Sequence, residues 1–137
     1  MAYRRKLLVI ANQTVDSDEL YEELVHRAQD GPITVTLVVP QDAHAGLGRR
    51  LNAALKRLHE AGIEAEGMLG DVDPCVAAME AWDPRRYDEI VVSTLPPGSS
   101  RWLKIDVPQR IARVTDAPVS RVVASRTAPA PVPFVMA

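Results

Sequence analysis

The sequence predicts an α/β fold in which a parallel sheet is covered on both faces by helices. Apolar runs such as "LLVIA" at residues 7–11 and "IVV" at residues 90–92 lack the alternation of a half-solvated strand, as expected where a sheet is buried on both sides. Stretches with apolar residues at helical spacing separate these runs. Parallel neighbours need long crossovers, and helices supply them.

Each element follows in order. Residues 6–11 form a nearly all-apolar strand that belongs at the centre of the sheet. Asp16, with Glu19 three residues later, makes a capping-box-like start, and Leu20, Leu24 and Ala28 continue as one stripe until Gly31-Pro32. Residues 33–39 alternate through Thr34 and Thr36 as a second strand and stop at Pro40. Leu47, Leu51, Ala54, Leu55 and Leu58 mark the longest helix, with Gly62 as its C-terminal stop.

"IEAEGML", residues 63–69, places Glu64 and Glu66 on one face and reads as an edge strand. Asp73-Pro74 is a cap followed by proline at the first helical position, opening a helix through Val76 and Met79 to about Trp82. Ile90, Val91 and Val92 form another interior strand, a last helix begins near Asp106, and a last strand, residues 119–124, follows Pro118. No internal repeat occurs at the periods of solenoids.

A chain of 137 residues, 47% of them apolar, is the size of one ordinary domain. That domain is expected over residues 1–124, followed by a Pro/Ala-rich tail, 125–137. The formal net charge of -2 gives no overall basic field, so neither nucleic acid nor an anionic membrane is an expected partner. "MAYRRKLLVIANQ" has a basic head and an apolar run, but the run is short and no small-residue cleavage pattern precedes the acidic "DSDE". It reads as the first strand. Cys75 is the only cysteine and has no internal partner, which fits a reducing cytoplasm.

In a sheet of this kind ligands sit outside the C-terminal ends of the strands. Two loops there carry suitable chemistry. "ANQTVDSDE" offers the Asn12 amide and the Thr14 and Ser17 hydroxyls beside a helix N-terminus. "STLPPGSSRWLKIDVPQR", residues 93–110, offers Ser93 and Thr94, then Gly98, Ser99 and Ser100 as backbone and hydroxyl donors, with Arg101, Lys104 and Arg110 for charge. The bland alternative for residues 98–100 is a turn made by Pro-Pro-Gly.

The element order, the polar loop after strand one, "GDVDP" at residues 70–74 and "DEIVVSTLPPG…PVSRVV" towards the end together resemble the universal stress proteins over residues 4–124. The resemblance implies a three-layer α/β/α sandwich of the adenine nucleotide alpha hydrolase-like kind, with five parallel strands in the order 3-2-1-4-5. That order agrees with the independent placement of strand one at the centre and strands three and five at the edges. It also implies a site for ATP or AMP that adds Val39, at the end of strand two, to the residues above.

Many members of the family carry a Gly-x-x-Gly pattern, about nine further residues, then Gly-Ser or Gly-Thr, and an aspartate ending strand one. Here the aspartate's place falls on Asn12, the glycines on Ser93 and Pro96, and the terminal pair on Ile105 and Asp106. Proline has no N–H to offer. The Asp106 carboxylate is expected to cap the last helix and so to take up amides that a phosphate would use.

No nucleophile and base fall into a recognised catalytic arrangement, so catalysis is not expected. Asp71 and Asp73 form an Asp-x-Asp, but Asp73 before Pro74 is a natural cap, and His26, His44 and His59 have no paired spacing, so no metal is expected. Cys75 is expected as a buried small residue.

The last strand, guarded only by Arg121, is an exposed edge. Related stress proteins pair this strand across a two-fold axis, which implies a homodimer through Val119, Val122 and Val123. In the tail, Pro129, Pro131 and Pro133 favour an extended path towards Phe134, Val135 and Met136, which would lie on a partner subunit or on the chain's own domain. The function expected is a non-catalytic stress-response or regulatory domain holding a nucleotide or other anion between the loops after strands one and four. The alternative is an interaction module with a vestigial pocket, working through its dimer edge and tail.

Overall fold

The computed structural model describes residues 3–41, 46–96 and 106–124. Within them the chain alternates as β1 (Arg5–Ala11), α1 (Asp18–Gln29), β2 (Ile33–Pro40), α2 (Leu47–Glu60), β3 (Glu64–Gly70), α3 (Pro74–Ala81), β4 (Glu89–Thr94), α4 (Val107–Thr115) and β5 (Val119–Val123). The five strands lie in the order β3-β2-β1-β4-β5 and every pairing is parallel. β1 is central, with Val9 opposite Leu37 on one side and Val91 on the other.

Strand alternation divides the apolar residues of β1 between two layers. Leu7, Val9 and Ala11 pack with Leu20 and Leu24 of α1 and Leu47, Leu51 and Leu58 of α2. Leu8 and Ile10 pack with Ala77 and Ala78 of α3 and Val107 and Ile111 of α4. Each fully buried side chain of this kind contributes about 1.5–3 kcal/mol, and both faces of β1 supply several. Gly67 shows how closely α2 is seated, since a Cβ there would lie 2.8 Å from a Leu51 methyl group.

Three local expectations are corrected. The cap of α1 is Ser17, whose hydroxyl accepts from the Leu20 amide at 3.2 Å. Asp16 is drawn away to Arg50 of α2, with Nη2 and Oδ1 2.8 Å apart. Asp106 does not cap α4 through its side chain: it is exposed, in the left-handed region (φ 54°), and only its carbonyl accepts, from Arg110 N at 3.0 Å. Left-handed backbone turns the carboxylate away from the helix amides that an extended cap residue would meet. Cys75 is half-buried rather than buried, because it stands on the first turn of α3 at the margin of the core layer it packs against. The Asp73 cap is as expected, accepting from Cys75 N at 2.8 Å.

At the N-terminal end of the sheet Glu89 is 5% exposed although charged. Its carboxylate meets Arg27 of α1 at 2.7 Å and Arg5 of β1 at 2.8 Å, and accepts from the Ser120 hydroxyl of β5 at 2.6 Å. One buried carboxylate thereby ties the central strand, a helix and the edge strand β5 together. No described helix is long and apolar enough to cross a membrane.

Candidate functional site

The C-terminal ends of β1 and β4 are adjacent, with Ala11 opposite Ser93. The loop after β1 folds back over this end through Val15 N to Asn12 O and Ser17 N to Thr14 O. That turn brings Thr14 Oγ1 to 2.6 Å from Ser93 Oγ, both residues being almost fully buried. Asn12, on the other side, donates its amide to Pro40 O at 3.3 Å and so joins the ends of β1 and β2. The C-terminal end of the sheet between β2 and β4 therefore carries the polar side chains of Asn12, Thr14 and Ser93.

The remaining candidates are placed differently. The Ser17 hydroxyl is used as the α1 cap, and the residue is 2% exposed. Val39 buries its side chain with α1 and α2, so only its backbone is left to meet a ligand. Thr94 follows Ser93, and alternation turns it to the opposite face, the one occupied by α3 and α4. There its Oγ1 is buried without a hydrogen-bond partner among the described residues, a state that costs about 1–3 kcal/mol unless something supplies one. Gly98, Ser99, Ser100 and Arg101, with Lys104, lie outside the described residues.

Arg50 is the contributor that sequence reasoning missed. Its guanidinium holds the Asp16 carboxylate and also donates to the Gln13 carbonyl, fixing the β1–α1 loop from α2. A single arginine on an amphipathic helix carries no sequence signal of such a role. The Asp106 side chain makes no hydrogen bond to the first turn of α4, so it does not itself occupy the amides that an anion at that helix N-terminus would use.

The other chemistry considered is accounted for locally. Asp71 accepts from Asp73 N at 2.9 Å, so both carboxylates of the Asp-x-Asp serve backbone amides. His59 Nε2 lies 2.8 Å from Ala65 O, and no metal-ligating cluster occurs among the described residues. Burial, with the Asp73 charge nearby, pushes the Cys75 thiol above its ordinary pKa, which disfavours the reactive thiolate.

No family model and no curated protein matches the sequence. Solved structures do match the fold. A universal stress protein in complex with cAMP is 21% identical, with a TM-score of 0.52 over 88% of this chain and 98% of that one. A universal stress protein family member from Arabidopsis thaliana with AMP bound is 16% identical, with a TM-score of 0.60 over 88% and 92%. A universal stress protein from Archaeoglobus fulgidus is 15% identical, with a TM-score of 0.57 over 88% and 99%. The five-stranded parallel sheet and its helical layers are those of these proteins.

Proposed function

We propose that this chain, built on the universal stress protein fold, is a non-catalytic regulatory domain that holds an adenine nucleotide over the ends of β1 and β4. The observation that carries this reading is the Thr14–Ser93 hydroxyl pair. It places two hydroxyls, each with further hydrogen-bonding capacity, beneath a loop already fixed by Arg50. Two neighbours of the same fold carry cAMP and AMP. The domain is proposed to work in the cytoplasm, where its single cysteine stays reduced.

Calorimetric titration with ATP and AMP tests the reading. The expected dissociation constants are on the order of 0.1–1 mM, because Asn12 and Ser17 already spend hydrogen bonds on Pro40 and Leu20. No heat at millimolar nucleotide favours a second reading, an interaction module. The observation behind that alternative is the edge position of β5 among the described strands, where Val123 is 39% exposed and Val119 and Val122 are half-buried. A homodimer through these three valines is proposed in either case.

A further inference from the structure

α3 is only eight residues long, about 12 Å, whereas β2 has eight residues in extended conformation, about 26 Å. The helix therefore covers only the C-terminal half of its side of the sheet, where Ala77 meets Val38 and Gly70. The N-terminal half is an open groove of about 380 Å³ over β1, β2 and β3, at the end of the sheet opposite Thr14 and Ser93.

Register fixes what lines it. Lys6, Thr34 and Glu64 form one row across the three strands, and Leu8, Thr36 and Glu66 the next. The β2 residues facing it are threonines where a covered strand would carry apolar side chains. Thr36 is 7% exposed and its hydroxyl has no hydrogen-bond partner among the described residues, yet it lines the groove. A hydroxyl open to the groove in that state bonds water or a ligand polar atom.

The charges on either side are unequally engaged. Glu64 is paired with Arg4 at 3.1 Å, whereas Glu66 has no ion pair among the described residues. Arg86 stacks over the Tyr87 ring at 5.5 Å and the Lys6 ammonium lies over the Tyr3 ring at 5.8 Å, whereas Arg85, which also lines the groove, has no ion pair or ring contact among the described residues. An exposed carboxylate and an exposed guanidinium without ion pairs among the described residues thus share one groove with a free hydroxyl. A simple anion there meets Glu66, and a simple cation meets Arg85. A sugar lacks a stacking platform, since Arg86 and Trp82 occupy the Tyr87 ring.

We propose that this groove binds a small zwitterion of the free amino-acid class, its ammonium on Glu66, its carboxylate on Arg85 and one polar atom on the Thr36 hydroxyl. The site is independent of the nucleotide reading and lies at the other end of the strands.

Titration of the ¹⁵N-labelled full chain with glutamine, N-acetylglutamine and glutaminamide tests it. Glutamine is expected to shift the amides of residues 34–36, 64–66 and 85–87 saturably, with a dissociation constant on the order of 1 mM. Blocking either charged group, or Glu66→Gln, Arg85→Gln or Thr36→Val, is expected to weaken binding about tenfold or more. The two blocked analogues keep the test independent of any variant's folding. No saturable shift with about 50 mM glutamine, or equal binding of all three probes, would overturn the proposal and leave a solvated polar face only.

Discussion

Thr14 Oγ1 and Ser93 Oγ lie 2.6 Å apart, buried at the C-terminal end of the sheet, linking the loop after β1 to the last residues of β4. Each satisfies the other, so removing one leaves a buried hydroxyl alone. Ser93→Ala is expected to lower unfolding free energy by about 1–2 kcal/mol and to weaken AMP binding several-fold. Urea denaturation and calorimetry on the same preparation separate the two effects, and unchanged affinity in a folded Ser93→Ala variant would place the ligand elsewhere.

Arg50 is expected to act on the site through position alone. Arg50→Gln releases the Asp16 carboxylate and the Gln13 carbonyl, so AMP affinity should fall, while stability should fall by only about 1 kcal/mol because the pair is partly solvated. The β1–α1 loop amides should also exchange faster with deuterium. Unaltered exchange in the variant would show that the loop holds its shape without the arginine.

Glu89 supplies a pH dependence whose sign is fixed by its surroundings. Burial acts to raise its carboxyl pKa, but hydrogen bonds from Ser120, Arg27 and Arg5 outweigh burial and the net value is lowered. A carboxyl depressed in the folded state stabilises fully above its unfolded pKa, about 4.3, and loses that contribution as pH falls through the folded value. Wild-type stability should therefore decline below about pH 4, and Glu89→Gln should flatten that decline. At neutral pH Glu89→Ala should cost about 3 kcal/mol, since Arg27 loses its buried partner. Identical acid profiles for wild type and Glu89→Gln would remove Glu89 from the account.

The fold was largely legible because its signals are local and redundant. The unbroken apolar run of β1 marks it as central, the Glu64–Glu66 alternation marks β3 as an edge, and Asp73-Pro74 marks the start of α3. The site was less legible because each candidate hydroxyl has several possible partners and only tertiary structure chooses among them. Ser17 became a cap when Asp16 was taken by Arg50, a competition between residues 34 positions apart. Ser93 and Thr94, adjacent in sequence, separate to opposite faces of the sheet. Asp106 looked like a cap by residue type, but its positive φ removes the side chain from the helix amides.

The β5 edge yields a prediction about assembly. If Val119, Val122 and Val123 pair with a second copy, light scattering at micromolar concentration should give a dimer mass, and Val122→Lys should return it to monomer. A monomeric full-length chain that dimerises once residues 126–137 are removed would show instead that the tail covers the edge.

Incubation with ATP is expected to release no phosphate above a protein-free control. Turnover that Asp106→Asn abolishes would contradict the non-catalytic reading.

The central claim is tested most directly by mapping AMP onto the ¹⁵N-labelled chain by NMR titration. Among the described residues the account predicts saturable shifts confined to residues 12–17, 39–41, 93–94 and the first turn of α4, with the amides near Thr36 and Glu66 unmoved. Saturable shifts centred on the N-terminal end of the sheet, or none with about 5 mM AMP, would contradict it.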